Sequence, residues 1–119
     1  MEIAVKYEAH KYVAVAHKLL AQVALANNDL AEAQKQFEAG LEELRQFPAP
    51  LVEWKIYADL GRLKLRLGDR SAAHAAFAQA GEIVNRIADN TADAELKERF
   101  LNSDVVREVL NGAANTAVT

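Results

Sequence analysis

Several residues recur in this chain at one fixed distance. Leu20-Ala21 matches Leu60-Gly61, Asp29 matches Asp69, Ala33 matches Ala73, Phe37 matches Phe77, and Gly40 matches Ala80, each 40 residues apart. Chance gives an occasional coincidence in an Ala-rich chain, but not a set in register with helix boundaries. A period of this size implies stacked helical hairpins, units that cannot bury an apolar face alone and so cover one another. The residue types have a mechanical reason. Where two helix backbones approach closely, Ala or Gly must stand at the contact, with a large side chain filling the flank. Ala21 is therefore expected to meet Ala33, and Gly61 to meet Ala73, with Phe37 and Phe77 plugging the layer between hairpins. A plain four-helix bundle would use the same residues as generic core, but it requires no matched spacing.

The punctuation between apolar runs agrees with the repeat. Val5, Tyr7, Ala9, Tyr12, Val13, Ala16, Leu19, Leu20, Val23 and Ala24 follow helical spacing, and nothing interrupts them before Asn27-Asn28. Asp29, three residues before Glu32, forms a capping box for a second helix with Leu30, Ala33, Phe37, Gly40, Leu41 and Leu44 on one face. Phe47-Pro48-Ala49-Pro50 ends it, since Pro has no N–H and disfavours helix in the residue before it. Pro50 suits the first position of a third helix, with Leu51, Trp54, Tyr57, Ala58, Gly61 and Leu65 on its apolar face, up to Gly68. Asp69 caps a fourth, with Ala73, Phe77, Ala80, Ile83, Val84 and Ile87. A weaker break at Ala88–Asp93 leads to Leu96, Phe100 and Leu101. Ser103 then caps a last turn carrying Val105, Val106, Val109 and Leu110. Ala is about one residue in five, against 5 Gly and 2 Pro in 119 residues, so the expected class is all-α.

The two copies, LLAQVALANNDLAEAQKQFEAGL and DLGRLKLRLGDRSAAHAAFAQAG, resemble the tetratricopeptide repeat. That family places a small residue after Leu in its first helix, then Gly-Asp or Asn-Asp, then Ala, an aromatic and another small residue. The likeness covers Ala14 to Ala88. It departs from the family in its longer period, in the missing Pro at the end of each second helix, and in His17 standing where the second copy has the aromatic Tyr57. What it implies is an α-solenoid of stacked antiparallel hairpins: one repeat at about 14–47, a second at about 54–88, a C-terminal cap at 93–110 and a flexible tail at 111–119. FPAPLVEWKIYADLGRLKLRLGD and IADNTADAELKERFLNSDVVREVL further resemble the end of repeat arrays in large bacterial signalling proteins, behind a cyclase, kinase or ATPase module. By that resemblance, and because helical pattern begins almost at Met1, the chain is expected to be the C-terminal piece of a longer protein.

Composition excludes several functions. There is no Cys, so disulfide frameworks, thiolate metal sites and cysteine nucleophiles are ruled out together. A net charge of −3 argues against a dedicated nucleic-acid binder. The opening MEIAVKYEAHKY is not a signal peptide, and no apolar run is long enough to span a bilayer. A soluble cytoplasmic protein is expected. No Gly-rich loop precedes GKS or GKT. His10 and His17 lie two turns apart, too far to share one ion, and His17 reads as core while His74 reads as solvent-facing. Ser71 and Ser103 fall at helix starts, where a hydroxyl caps backbone N–H groups. Glu42-Glu43 point apart on a helix. Neither an enzyme nor a bound cofactor or metal is expected.

Two functional classes remain: a protein–protein interaction scaffold, and a helical ligand-sensing domain with a pocket between helices. No convergent polar cluster can be named for a pocket, which favours the scaffold. By the resemblance, the first helix of each hairpin lines a concave face, which places Lys18, Gln22 and Leu25 there, continued by Lys55, Arg62 and Arg66. Residues 51–67 hold four basic and two acidic residues in an acidic chain. That local charge suits an acidic peptide or a carboxylate terminus, with Arg offering bidentate bonds. Asp59 stands three residues from Arg62 and four from Lys55, so an ordinary surface pair is the alternative. The apolar flank of the first helix, including Val5, Tyr12 and Leu19, is uncapped and is expected to draw two chains into a homodimer through the N-terminal hairpin.

Overall fold

The computed structural model describes residues 2–104, 106, 107, 109 and 110, with side chains from residue 9 onward. The side chains of Val5 and Tyr7, along with Val105 and the expected tail at 111–119, lie outside the described residues. All regular structure among the described residues is helical: α1 Glu2–Ala26, α2 Leu30–Gln46, α3 Pro50–Arg66, α4 Arg70–Asp89 and α5 Ala94–Leu101. The chain divides into two compact units, Met1–Ile56 and Tyr57–Thr119, with the division falling inside α3.

The period of 40 is visible in backbone geometry. After α1, the N–H of Asn28 donates to Leu25 O at 3.0 Å and that of Asp29 to Ala24 O at 2.8 Å. After α3, Gly68 donates to Leu65 O at 3.1 Å and Asp69 to Lys64 O at 2.9 Å. These are two copies of one helix stop, in which a left-handed residue lets the chain fold back onto the last carbonyls. The left-handed residues are Asn28, at φ 60°, and Gly68, at φ 80°. Each Asp that follows also begins the next helix. Asp29 accepts the Glu32 N–H at 3.2 Å and Asp69 the Ala72 N–H at 3.0 Å, satisfying a donor the helix itself leaves orphaned.

A mutation separates backbone strain from packing at this turn. No atom lies within 4 Å of where a Gly68 Cβ would stand, so only φ opposes a side chain there. Gly68→Ala is expected to lower stability by about 1–2 kcal/mol. Asn28→Gly, at the equivalent site, should stay within about 0.5 kcal/mol of wild type. Urea unfolding of the two variants checks this, and equal losses at both positions would contradict the turn.

In the first unit, α1 packs on α2. Ala33, Phe37, Gly40 and Leu44 form the buried face of α2, and Ala14, Ala21 and Ala24 supply the covered face of α1. A Cβ on Gly40 would lie 3.2 Å from Ile56 Cδ1, 3.4 Å from Ala14 O and 3.5 Å from His17 Cβ. Gly40 is thus small because α2 is closely approached from both α1 and the start of α3.

In the second unit, Gly61 lies against Phe77, whose ring carbons stand 2.9–3.0 Å from a Cβ built at Gly61. Phe77, expected to plug the layer between hairpins, packs against α3 within this unit. Its ring fills the space that the missing side chain of Gly61 leaves between α3 and α4. The face assigned to α3 is also revised: Leu51 and Leu65 are exposed, whereas Ile56, Leu60 and Leu63 are buried. Trp54, Ala58 and Gly61 lie on one side of that helix and Ile56, Leu60 and Leu63 on the other. A helix covered on two sides has no single apolar stripe for periodicity to find.

Asp93 caps α5 by accepting the N–H groups of Glu95 and Leu96. That helix touches α4 but buries none of its own residues. Helical backbone resumes after Ser103, whose Oγ accepts the Val106 N–H at 3.4 Å, and there Val106 and Val109 are fully covered. Within the segment expected to cap the repeats, the buried anchors are thus these valines rather than α5.

Candidate peptide-binding face

Lys18, Gln22 and Leu25 stand on α1 at spacings of four and three, so they share one side of that helix. Lys18 and Leu25 are half-buried and Gln22 is exposed. Lys55 also belongs to the first unit. It is exposed, and its ammonium lies 5.8 Å from the ring centroid of Trp54, within the range at which a cation is drawn to an aromatic face.

Arg62 and Arg66 belong to the second unit and stand one turn apart on α3. Arg62 Nη1 donates to Asp59 Oδ1 at 2.7 Å, with the two side chains 36% and 15% exposed. The surface pair raised as an alternative is therefore formed at Arg62, while Lys55 turns to Trp54. Arg62 stays a recognition candidate because a guanidinium brings five N–H donors in a fixed fork. The partly exposed Asp59 pair is also cheap to rearrange. Arg66 is exposed in the last turn of α3, where a cation complements the partial negative charge of the helix end.

Two polar ties between α1 and α2 were not expected from spacing. His10 Nδ1 pairs with Glu43 Oε1, and its ring stacks on Phe47 with centroids 3.7 Å apart and planes within 4°. His17 Nδ1 lies 2.7 Å from Gln36 Oε1, and Gln36 Nε2 donates to Glu32 Oε1 at 2.8 Å. Because the Glu32 carboxylate only accepts, it sets the Gln36 amide, and His17 Nδ1 must then donate. Both histidines fasten α1 to α2: His10, early in α1, meets Glu43, late in α2, and His17 meets Gln36 nearer the middle of each. His74 is half-buried rather than solvent-facing.

Among the described residues no group of three or more His, Asp or Glu is placed to hold a metal ion. No helix there is long and apolar enough to cross a membrane. An open hollow of about 300 Å³ runs beside Ala94, Lys97, Glu98, Leu101 and Asn102. Its walls come from α5 and its cap alone, so it is not the pocket between helices that a ligand sensor would use. Comparison with known proteins finds no matching family model, no similar curated protein and no similar solved structure.

Proposed function

We propose that this chain is a non-enzymatic protein–protein interaction module made of two tetratricopeptide-like hairpins with a C-terminal cap. In this reading α1–α2 and α3–α4 are antiparallel hairpins stacked as a short solenoid. The observation that carries it is the duplicated hairpin turn, with the same hydrogen bonds, left-handed residue and Asp cap recurring after 40 residues. Lys18, Gln22 and Leu25, continued by Lys55, Arg62 and Arg66, line the face that receives an acidic peptide or a carboxylate terminus. No cofactor, nucleic acid or membrane takes part. The module works in the cytoplasm as the end of a repeat array in a larger bacterial signalling protein.

The test is fluorescence polarisation with a labelled Glu/Asp-rich peptide bearing a free C-terminus, against its Lys-rich counterpart. Binding to wild type should exceed binding to Arg62→Glu/Arg66→Glu by about tenfold or more, the loss of one charge-assisted contact. The fold should persist with a melting temperature lower by about 4–8 °C, since Arg62→Glu breaks the part-buried bond to Asp59. Equal binding by both proteins, or a preference for the Lys-rich peptide, would reject the basic face.

A further inference from the structure

We infer that Leu65 belongs to the basic face and makes it selective for acidic peptides that carry a bulky apolar side chain beside their carboxylates. This rests on the reading of that face as a peptide site and adds the chemistry of the ligand. Leu65 stands three residues after Arg62 and directly before Arg66 in α3, so the three share one side of the helix. Leu65 is 44% exposed, and between them the two arginines are half-buried and exposed respectively.

A lone exposed leucine is ordinary on a protein surface. Leu65 differs because it continues a buried side of its helix. Ala58 and Gly61 lead to it at steps of three and four, and both are buried. Phe77 of α4 covers Gly61, but one turn further on that cover has run out and Leu65 is left as an apolar step. The step adjoins the hairpin turn, where Leu65 O accepts the Gly68 N–H at 3.1 Å and Lys64 O the Asp69 N–H at 2.9 Å. A side chain on pinned backbone loses little freedom when a ligand settles on it.

The first hairpin acts as an internal control. Its first helix ends Leu25-Ala26-Asn27-Asn28 where α3 runs Leu65-Arg66-Leu67-Gly68, and both ends close with the same hydrogen bonds. Forty residues also turn Gln22 into Arg62. The turn is therefore made without either arginine, and the second copy adds a cation on each side of a leucine that both copies hold. The ligand follows from that set. Two guanidiniums favour carboxylates, which they bind through paired N–H donors. Arg62 and Arg66 are about 6 Å apart along the helix axis, close to the roughly 7 Å between alternate residues of an extended peptide. The Leu65 methyl groups beside them offer no hydrogen bond, and an apolar side chain laid there removes apolar surface of both partners from water.

Fluorescence polarisation on the full chain tests this with two labelled Glu-rich peptides of equal length and charge, one with Leu and one with Ser at its centre. Wild type should bind the Leu peptide more tightly by about fivefold or more. Leu65→Gln, which keeps helix propensity, should lose that preference and hold the Ser peptide as wild type does. Leu65→Met should retain the preference, and both variants should keep wild-type helical circular dichroism. Equal binding of the two peptides by wild type would overturn the role of Leu65 and leave the acidic-peptide reading standing. Binding of neither peptide would reject both. A Leu preference that survives Leu65→Gln would place the apolar contact elsewhere on the chain and reject the inference.

Discussion

Gly61→Leu should destabilise the protein by about 3 kcal/mol, at or above the upper end of ordinary overpacking. A Cβ at this position would stand 2.9 Å from both Cε1 and Cζ of Phe77 and 3.0 Å from Cδ1, whereas carbon atoms rest at about 3.5–4.0 Å. Leu adds a further branched carbon chain to that overlap, which far exceeds its gain of roughly 0.8 kcal/mol in helix propensity over Gly. Gly61→Ala isolates the first carbon. It gains about 1 kcal/mol of propensity and should still finish less stable than wild type. Trimming the ring should relieve the clash, so Gly61→Ala combined with Phe77→Leu should fall short of the summed single losses by about 0.5 kcal/mol or more. Superimposed urea curves for Gly61→Leu and wild type would mean that α3 and α4 do not approach closely here.

The largest loss is expected in the first unit, from Phe37→Ala. Phe37 is completely buried, on the face of α2 that also buries Ala33, Gly40 and Leu44. Removing a buried ring forfeits its transfer energy and leaves a cavity, together about 3–5 kcal/mol. Total stability for a domain is about 5–15 kcal/mol, so the variant should be close to unfolding at 37 °C. Thermal and urea unfolding by circular dichroism measure this. A loss below about 1 kcal/mol would show that the ring is dispensable, and with it the packing role assigned to the repeated aromatic.

Helix boundaries were legible because local chemistry sets them. Asp29 and Asp69 accept N–H groups three residues ahead, Pro50 opens α3, and Asn28 and Gly68 take the left-handed conformation that ends a helix. Each device acts within a few residues and needs no tertiary partner. The buried face of α2 was legible for a related reason, since a helix covered on one side carries one stripe. The candidate basic face was only partly legible. Spacing put Asp59 within reach of both Lys55 and Arg62, and side-chain geometry gave it to Arg62.

By itself, then, the sequence determined the all-helical class, helices α1 to α4 with their ends, and a duplication of 40 residues, because capping, proline, glycine and periodicity are local or simple to count. Only the tertiary structure decided which sides of each helix are covered. Leu51 and Leu65 look like core by spacing and are exposed, while Leu60 and Leu63, on the opposite side of α3, are buried. Nothing in the residue types distinguishes Leu20 from Leu60. The difference lies in whether another helix reaches that side, and burial is a property of neighbours brought together across the chain, not of the residue that is buried.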